Sequence, residues 1–183
     1  MLLEGATDIF PTDLRGSKYN VSYTLSAHHC GERLERKYPF LGYAVRNVLF
    51  HSNEAQRHGI QQSDWVKQFP LAPWSTLHNI YYIRASPDAL SYTNDGNAGI
   101  YMPDVKMLYV LSHQNMHHLI RQSPDKERHL GIRGGYFGTP LMAALTCGCR
   151  ETSRYLTLQV LIDQGFRILP DEQDEAFFSQ FGT

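Results

Sequence analysis

The sequence predicts an all-α protein in which an N-terminal helical bundle packs on a short stack of repeated helix pairs. Two observations carry this prediction. Apolar residues recur at helical spacing in every periodic segment, and no segment sustains the period of two that a half-buried strand requires. In addition, a segment that begins at Leu108 aligns without gaps with one that begins at Leu141, and a sequence period of this length indicates stacked supersecondary units.

Composition places the chain among ordinary globular proteins. Its 183 residues, 42% hydrophobic and 19% charged, fit one domain or two small ones. The net charge of −1 provides no positive field for a phosphate backbone, so we expect no nucleic-acid partner. No apolar run reaches the roughly 18 residues of a membrane span. Because the N-terminus also has no secretion signal, we expect no membrane association and a cytoplasmic location.

The N-terminal region is predicted to contain a leader and a bundle. Residues 1–24 contain scattered turn formers without a sustained period, and we expect them to be poorly ordered. Residues 25–85 form the helical bundle. Its first helix is predicted from an N-cap at Ser26 to Lys37, since the residue before Pro39 is pushed out of the α region.

The second helix of the bundle is predicted to begin with Pro39 in its first turn and to end at Gly59. Between Phe40 and Phe50, apolar residues cover nearly the whole helical circumference. This pattern is typical of a helix that is buried on most sides.

Two further helices complete the predicted bundle. A short one is capped by Ser63, and a longer one opens at Pro73. Their aromatic residues, among them Trp65 and Trp74, follow helical spacing, and we interpret them as core because a base-stacking platform would also need a basic groove. Over residues 86–103 the helical spacing ends and turn-forming residues cluster, which predicts a loop at a domain boundary.

Residues 104–183 contain about two repeats and a C-terminal tail. The segment from Leu108 to Asn115 aligns with the segment from Leu141 to Gly148. The offset between them (141 − 108) matches the ankyrin period of about 33 residues. The segment Thr139–Ala144 resembles the ankyrin signature T-P-L-H-x-A, with Met142 in place of the His. Because the first copy lacks the Thr-Pro pair, the sequence predicts a degenerate ankyrin-type helical stack.

The residues of the repeat have distinct expected roles. Thr139 is expected to cap a helix, Pro140 to fit its first turn, and the small Ala144 to let paired helices approach closely. The equivalent residues Leu108 and Leu141 are expected to be buried between stacked pairs. Asn115 and Gly148 are expected to end the first helix of each pair in the left-handed conformation. Leu145 is also expected to face the neighbouring pair.

The motifs Tyr38–Leu41, Ala44–His51, Phe69–Leu71 and Leu108–Leu111 follow one another in a recognisable order. Over roughly residues 25–165 the chain resembles the region between the NACHT ATPase core and the ankyrin array of fungal NACHT and ankyrin-repeat proteins. The resemblance implies a fragment or truncated relative of a signalling NTPase whose repeats bind partners. The glycine cluster that leads into Thr139 has no G-K-[ST] ending, so ATP binding is not carried over and no cofactor is expected.

No arrangement of residues in the sequence predicts catalysis or metal binding. There is no G-x-S-x-G motif and no Ser or Cys placed by motif beside a His and a carboxylate, so we expect no enzymatic activity. His113 and His117 have the spacing of helical metal ligands, but Asn115 lies between them at the predicted turn. The three cysteines show neither zinc spacing nor a disulfide framework, and we expect no metal.

The predicted function is therefore non-enzymatic protein–protein interaction through an ankyrin-type stack. The residues expected to contact the protein partner lie on the inner helices and on the edge between the repeats: Arg133, Tyr136, Phe137, His113, Gln114 and Thr146. The alternative is a structural connector or cap between an NTPase core and a longer ankyrin array. An exposed apolar patch on these surfaces favours binding, whereas a mixed charged surface favours the connector.

Overall fold

The computed structural model describes residues 21–85, 101–102, 104–123, 130–132 and 136–163. These residues form helices and no strand, which confirms the predicted all-α class. The N-terminal helices are α1 (Val21–Lys37), α2 (Leu41–Arg57), α3 (Ser63–Gln68) and α4 (Leu71–Ala85). The C-terminal helices are α5 (Met107–His113), α6 (His117–Gln122), α7 (Pro140–Thr146) and α8 (Arg150–Asp163).

The first helix is longer than predicted. Because α1 includes Val21, Ser26 lies inside the helix and is not its N-cap, and the end of the predicted leader is helical. No Pro or Gly interrupts residues 21–26, and extending an existing helix adds one hydrogen bond for each residue fixed. The helix ends at Lys37, as predicted. Residues 1–20 of the predicted leader lie outside the described residues.

The second helix, α2, buries one stripe and is not buried on most sides, so that prediction is wrong. Phe40 is 82% exposed, and Tyr43 and Phe50 are also exposed. Helical spacing shows which residues share a face, but it does not show how many neighbours surround the helix. The buried stripe consists of Gly42, Val45, Leu49, Ser52 and Asn53. Pro39 precedes the N-cap residue Phe40 and so lies outside the first turn.

The fourth helix, α4, is the bundle helix that is enclosed on several sides. It packs mainly on α1 and also contacts α2. Its buried residues are Trp74, Ser75, Leu77, Asn79, Ile80, Tyr81 and Ile83. The indole N–H of Trp74 donates a hydrogen bond of 3.0 Å to the carbonyl of Val45. Trp74 is therefore a core residue, as predicted, and its polar atom is satisfied.

One hydrophobic core connects the bundle with the C-terminal helices. It includes Leu49 and Trp74 from the bundle and Leu108, Leu119 and Leu156 from the later helices. α2 packs directly on α6 across the predicted domain boundary. None of the described helices combines the length and apolar character needed to cross a lipid bilayer.

Two asparagines of the bundle satisfy backbone groups outside the bundle. Asn79 of α4 accepts a 2.9 Å hydrogen bond from the N–H of Tyr101 and donates one of 2.8 Å to its carbonyl. The side-chain oxygen of Asn53, on α2, accepts hydrogen bonds of 3.1 and 3.3 Å from the N–H groups of His118 and Leu119. Because the local N-cap residue Met116 makes no side-chain cap, α2 supplies the cap of α6.

Tyr101 lies inside the predicted loop but is a core residue. Its exposed fraction is only 2%. Aromatic burial and the pairing with Asn79 hold Tyr101 against α4, at the end of the loop predicted over residues 86–103. Residues 86–100 and Pro103 of that loop lie outside the described residues.

Candidate protein-binding surface

The C-terminal helices form two hairpins that repeat at a constant offset, which we call the repeat interval. α5 begins at Met107 and α7 at Pro140 (140 − 107), and each contains seven residues. α6 begins at His117 and α8 at Arg150 (150 − 117), although α8 is longer. The two differences are equal, and they also equal the offset between Leu108 and Leu141. We call α5 with α6 the first hairpin, and α7 with α8 the second hairpin.

The turns inside the two hairpins have equivalent hydrogen bonds. In the first hairpin the N–H of Met116 donates to the carbonyl of Leu111 at 2.8 Å. In the second hairpin the N–H of Cys149 donates to the carbonyl of Ala144, also at 2.8 Å. Donor and acceptor are both shifted by the repeat interval, so the repeat extends to the backbone geometry of the turn.

Asn115 and Gly148 adopt the left-handed conformation that the sequence predicted. Their φ angles are +59° and +67°. Asn115 also has a second role, because its side-chain oxygen accepts a 2.8 Å hydrogen bond from the hydroxyl of Thr152. The turn of the first hairpin is thus bonded to α8 of the second.

The second hairpin begins with the predicted cap. Thr139 is the N-cap residue of α7, and its hydroxyl oxygen accepts a 3.4 Å hydrogen bond from the N–H of Met142. Pro140 follows as the first helical residue. Lys106, which holds the equivalent position before α5, makes no side-chain cap. The missing cap agrees with a degenerate first copy.

Equivalent helices of the two hairpins lie against one another. α5 packs on α7, and α6 contacts α8. Leu108 and Ala144 are fully buried, while Leu141 is half-buried against the core. Leu145 is exposed, so the prediction that it faces the neighbouring pair is wrong for the described residues. Its equivalent on α5, Ser112, is buried in the first hairpin.

His113 and Gln114, two of the predicted partner-contacting residues, connect the first hairpin to the bundle. The Tyr101 hydroxyl lies 2.9 Å from Nδ1 of His113 and accepts a 2.9 Å hydrogen bond from Nε2 of Gln114. Nε2 of Gln114 also lies 3.3 Å from Nε2 of His78 on α4. Because these side chains are half-buried and already bonded, they do not form a free surface for a partner.

Burial keeps the groups of this network uncharged. Desolvation, together with the proximity of His113, lowers the pKa of His78 to about 4. Desolvation also lowers the pKa of His113 and raises that of Tyr101. The hydroxyl of Tyr101 thus shares one hydrogen bond with the neutral His113 ring and accepts a second from the Gln114 amide. These hydrogen bonds hold two helices and a loop residue together, which is a structural task.

In its described part, the segment between the hairpins exposes the side chains of an isoleucine and a tyrosine. Ile132 and Tyr136 are both exposed, and we call them the loop patch. Phe137 is half-buried, and its N–H donates a 3.2 Å hydrogen bond to the hydroxyl of Tyr109 on α5. Arg133, which was also predicted to contact a partner, lies outside the described residues.

One side of α7 forms a second exposed surface, which we call the outer face. It consists of Met142, Leu145 and Thr146. Met142 is 50% exposed and Leu145 is 53% exposed. The Thr146 hydroxyl donates a 2.8 Å hydrogen bond to the carbonyl of Met142, and its methyl-bearing side chain is exposed. Sequence reasoning selected Thr146 but missed its two apolar neighbours, which it assigned to packing or to signature positions.

The described residues contain no group of three His, Cys, Asp or Glu side chains arranged to hold a metal ion. The rings of His117 and His118 lie 4.0 Å apart between centroids on α6, whereas His113 belongs to α5. The left-handed Asn115 separates the two helices. Cys147 is exposed, and Cys30 and Cys149 are buried as free thiols.

No family model, no characterised protein and no solved structure matches this chain. The basis for assigning a function is therefore the geometry of the two hairpins and of the surfaces that they expose.

Proposed function

We propose that this chain is a non-enzymatic protein-binding module of ankyrin-repeat type that acts in the cytoplasm. On this proposal it is a fragment or relative of the fungal NACHT and ankyrin-repeat proteins, and it recognises a protein through the loop patch. The observation that carries the proposal is the pair of exposed apolar side chains, Ile132 and Tyr136, on the segment that joins the two repeated hairpins.

The repeat interval supports an ankyrin-type assignment at three levels. Helix starts, turn hydrogen bonds and left-handed turn residues all recur at this spacing. The second hairpin adds the Thr139 cap and the first-turn Pro140 of the T-P-L-H-x-A signature. Repeat proteins of this type bind partners on surfaces that several repeats present together.

Tyr136 has the properties of an anchor residue for a partner protein. Its ring is exposed, and it contacts Phe137 edge to face with 5.2 Å between ring centroids. Phe137 is in turn bonded through its backbone to Tyr109 of the core, so the anchor is attached to a fixed support. Tyrosine is enriched at interaction hot spots because it joins a large apolar ring to a hydroxyl. A net charge of −1 favours a protein over a nucleic acid as the partner.

Site-specific photo-crosslinking tests this proposal. A photoreactive benzophenone amino acid replaces Tyr136 in the full chain, and the protein is irradiated in an extract of its own cells. We expect a discrete crosslinked partner that mass spectrometry identifies. The matched control places the same group at Tyr43, which is an exposed tyrosine of α2.

Recovery of the same proteins from both positions would show only nonspecific contact. Absence of any crosslink from position 136, in a protein with an unchanged circular dichroism spectrum, would contradict the proposed binding site. Competition gives a second measurement, because excess unlabelled wild-type chain should remove the specific crosslink and excess Tyr136→Ala chain should not.

A structural connector is the second candidate, and the buried polar network favours it. His78 and Tyr101 contact the end of α5 through His113 and Gln114, which ties the orientation of the first hairpin to that of the bundle. On this reading Gln114→Ala loosens the junction, and hydrogen exchange of both α5 and α1 should accelerate, because one core connects the two halves. Unchanged exchange in both helices would count against the connector.

A further inference from the structure

The outer face of α7 is exposed, whereas the equivalent side of α5 in the first hairpin is buried. Met142 and Leu145 correspond to Tyr109 and Ser112, one repeat earlier on α5. Tyr109 is 2% exposed and Ser112 is fully buried, whereas Met142 and Leu145 are half exposed. α7 packs on α5, which α6 also contacts. The described residues therefore contain one covered copy and one open copy of the same helix side.

The chemistry of the open copy fits another helix. Met142 and Leu145 are three residues apart and so lie on one side of α7. α7 contains no charged residue, and the turn that follows contains Cys147 and Gly148, which are small. An uncharged apolar side that ends in small residues allows close approach of a second uncharged helix. It also carries no charge that would repel an identical surface.

We infer that the outer face of α7 is a self-association surface, on which the second hairpin of another copy of this chain packs about a two-fold axis. This interface continues the α5–α7 contact that already exists within the chain, because a hairpin again covers the side of a hairpin helix. The inference is independent of the loop patch and of any heterologous partner.

A two-fold arrangement follows from the surfaces that remain open. Head-to-tail stacking would require a second copy to offer the opposite end of its hairpin stack. In the described part of the chain the bundle lies at that end, since α2 and α3 both pack on α6. A like-to-like contact needs only the open outer face of each copy, which is the isologous geometry of closed dimers.

Sedimentation analysis of the full chain over a wide concentration range tests the inference. We expect a reversible monomer–dimer equilibrium for the wild type. Leu145→Lys should weaken dimerisation by about tenfold or more, because it places a charge on each side of an apolar contact. The milder Leu145→Ser should weaken it less. Thermal unfolding of the monomeric forms checks that both variants remain folded.

The control and a rescue experiment make the test specific. Phe50→Lys changes an equally exposed apolar residue on α2 and should leave the dissociation constant unchanged. Mixing Leu145→Lys with Leu145→Glu should restore part of the dimerisation, since the two copies then bring opposite charges to one interface.

Three outcomes would overturn the inference. The first is a wild type that stays monomeric at every concentration, which includes the case where a segment outside the described residues covers the face. The second is a dimer that resists Leu145→Lys, and the third is one that Phe50→Lys weakens as strongly. None of these outcomes bears on crosslinking from position 136, so the two proposals fail separately.

Discussion

Single polar residues determine how the two halves of this protein meet. Asn79 and Asn53 lie on bundle helices, yet their hydrogen-bond partners are backbone groups of Tyr101 and of α6. A buried backbone group without a partner costs more than the hydrogen bond itself contributes. Each asparagine therefore fixes the position of a segment outside its own helix.

Asn79→Ala should lower the free energy of unfolding by about 2–5 kcal/mol, because the substitution leaves both the N–H and the carbonyl of Tyr101 buried without partners. Urea denaturation measures the change. Asn47→Ala is the matched control: its amide donates only to the Tyr43 carbonyl on the exposed side of α2, so we expect a change within about 0.5 kcal/mol. Equal losses in the two variants would show that the Asn79 pairing does not hold the junction.

The stability of the protein should fall in mildly acidic solution because of His78. Its pKa is about 4 in the folded chain, against an ordinary value of 6.5, so the unfolded chain binds a proton first as the pH falls. The contribution of neutral His78 to the free energy of unfolding is complete above about pH 6.5. It is lost progressively down to about pH 4, by up to about 3 kcal/mol. The lowered pKa of His113 acts in the same direction.

Urea midpoints measured at several pH values between neutral and mildly acidic check this prediction. His78→Gln should flatten the pH profile. The control variant is His29→Gln, which changes an exposed histidine of α1. A wild-type profile that is flat over this range would contradict the assignment.

At the scale of elements, the second hairpin shows what a sequence can reveal. The Thr139 cap, the first-turn Pro140 and the left-handed Asn115 and Gly148 were all predictable, because each depends on the chemistry of a few neighbouring residues. The same local reasoning gave the α-helical class and most helix positions.

Burial of the bundle helices was not predictable in the same way. α2 has more apolar residues over 40–50 than one face can bury, and it exposes Phe40, whereas α4 buries the polar Asn79. The hydrogen bonds that make the burial of Asn79 possible come from Tyr101, which is 22 residues away in the chain. For the same reason His113 and Gln114 were assigned to a partner, although an intramolecular residue already contacts them.

Gly148→Ala should destabilise the second hairpin by about 1–2 kcal/mol, because a Cβ atom at a φ of +67° meets the following carbonyl oxygen. Gly148→Asn should cost less, since Asn115 occupies the equivalent turn position at +59°. Thermal or urea unfolding measures both. Gly131→Ala serves as the control, because no atom lies within 4 Å of the added Cβ, and we expect a change within about 0.5 kcal/mol. An equal cost at both glycines would exclude backbone strain as the cause.

At the scale of the whole molecule, the bundle and the hairpins should unfold together. The hydrophobic core runs from Trp74 and Leu49 to Leu108 and Leu156 without a break, and α2 both packs on α6 and caps it through Asn53. Removing either half would expose the apolar surface that the other half buries. Such a shared core predicts one cooperative transition for the described part of the chain.

Leu108→Ala tests this coupling, because the substitution is in the first hairpin whereas both tryptophans, Trp65 and Trp74, lie in the bundle. Truncating the fully buried leucine should cost about 2–5 kcal/mol including its cavity. In a coupled molecule, tryptophan fluorescence and helical circular dichroism report the same lowered urea midpoint, and hydrogen exchange in α1 and α7 accelerates by the same factor.

The control Ile60→Ala changes an exposed apolar residue and should shift neither probe by more than about 0.5 kcal/mol. If the fluorescence midpoint of Leu108→Ala stays at the wild-type value while the circular dichroism midpoint falls, the bundle and the hairpins are separate folding units, and the contacts of Asn53 and Asn79 join two independent domains.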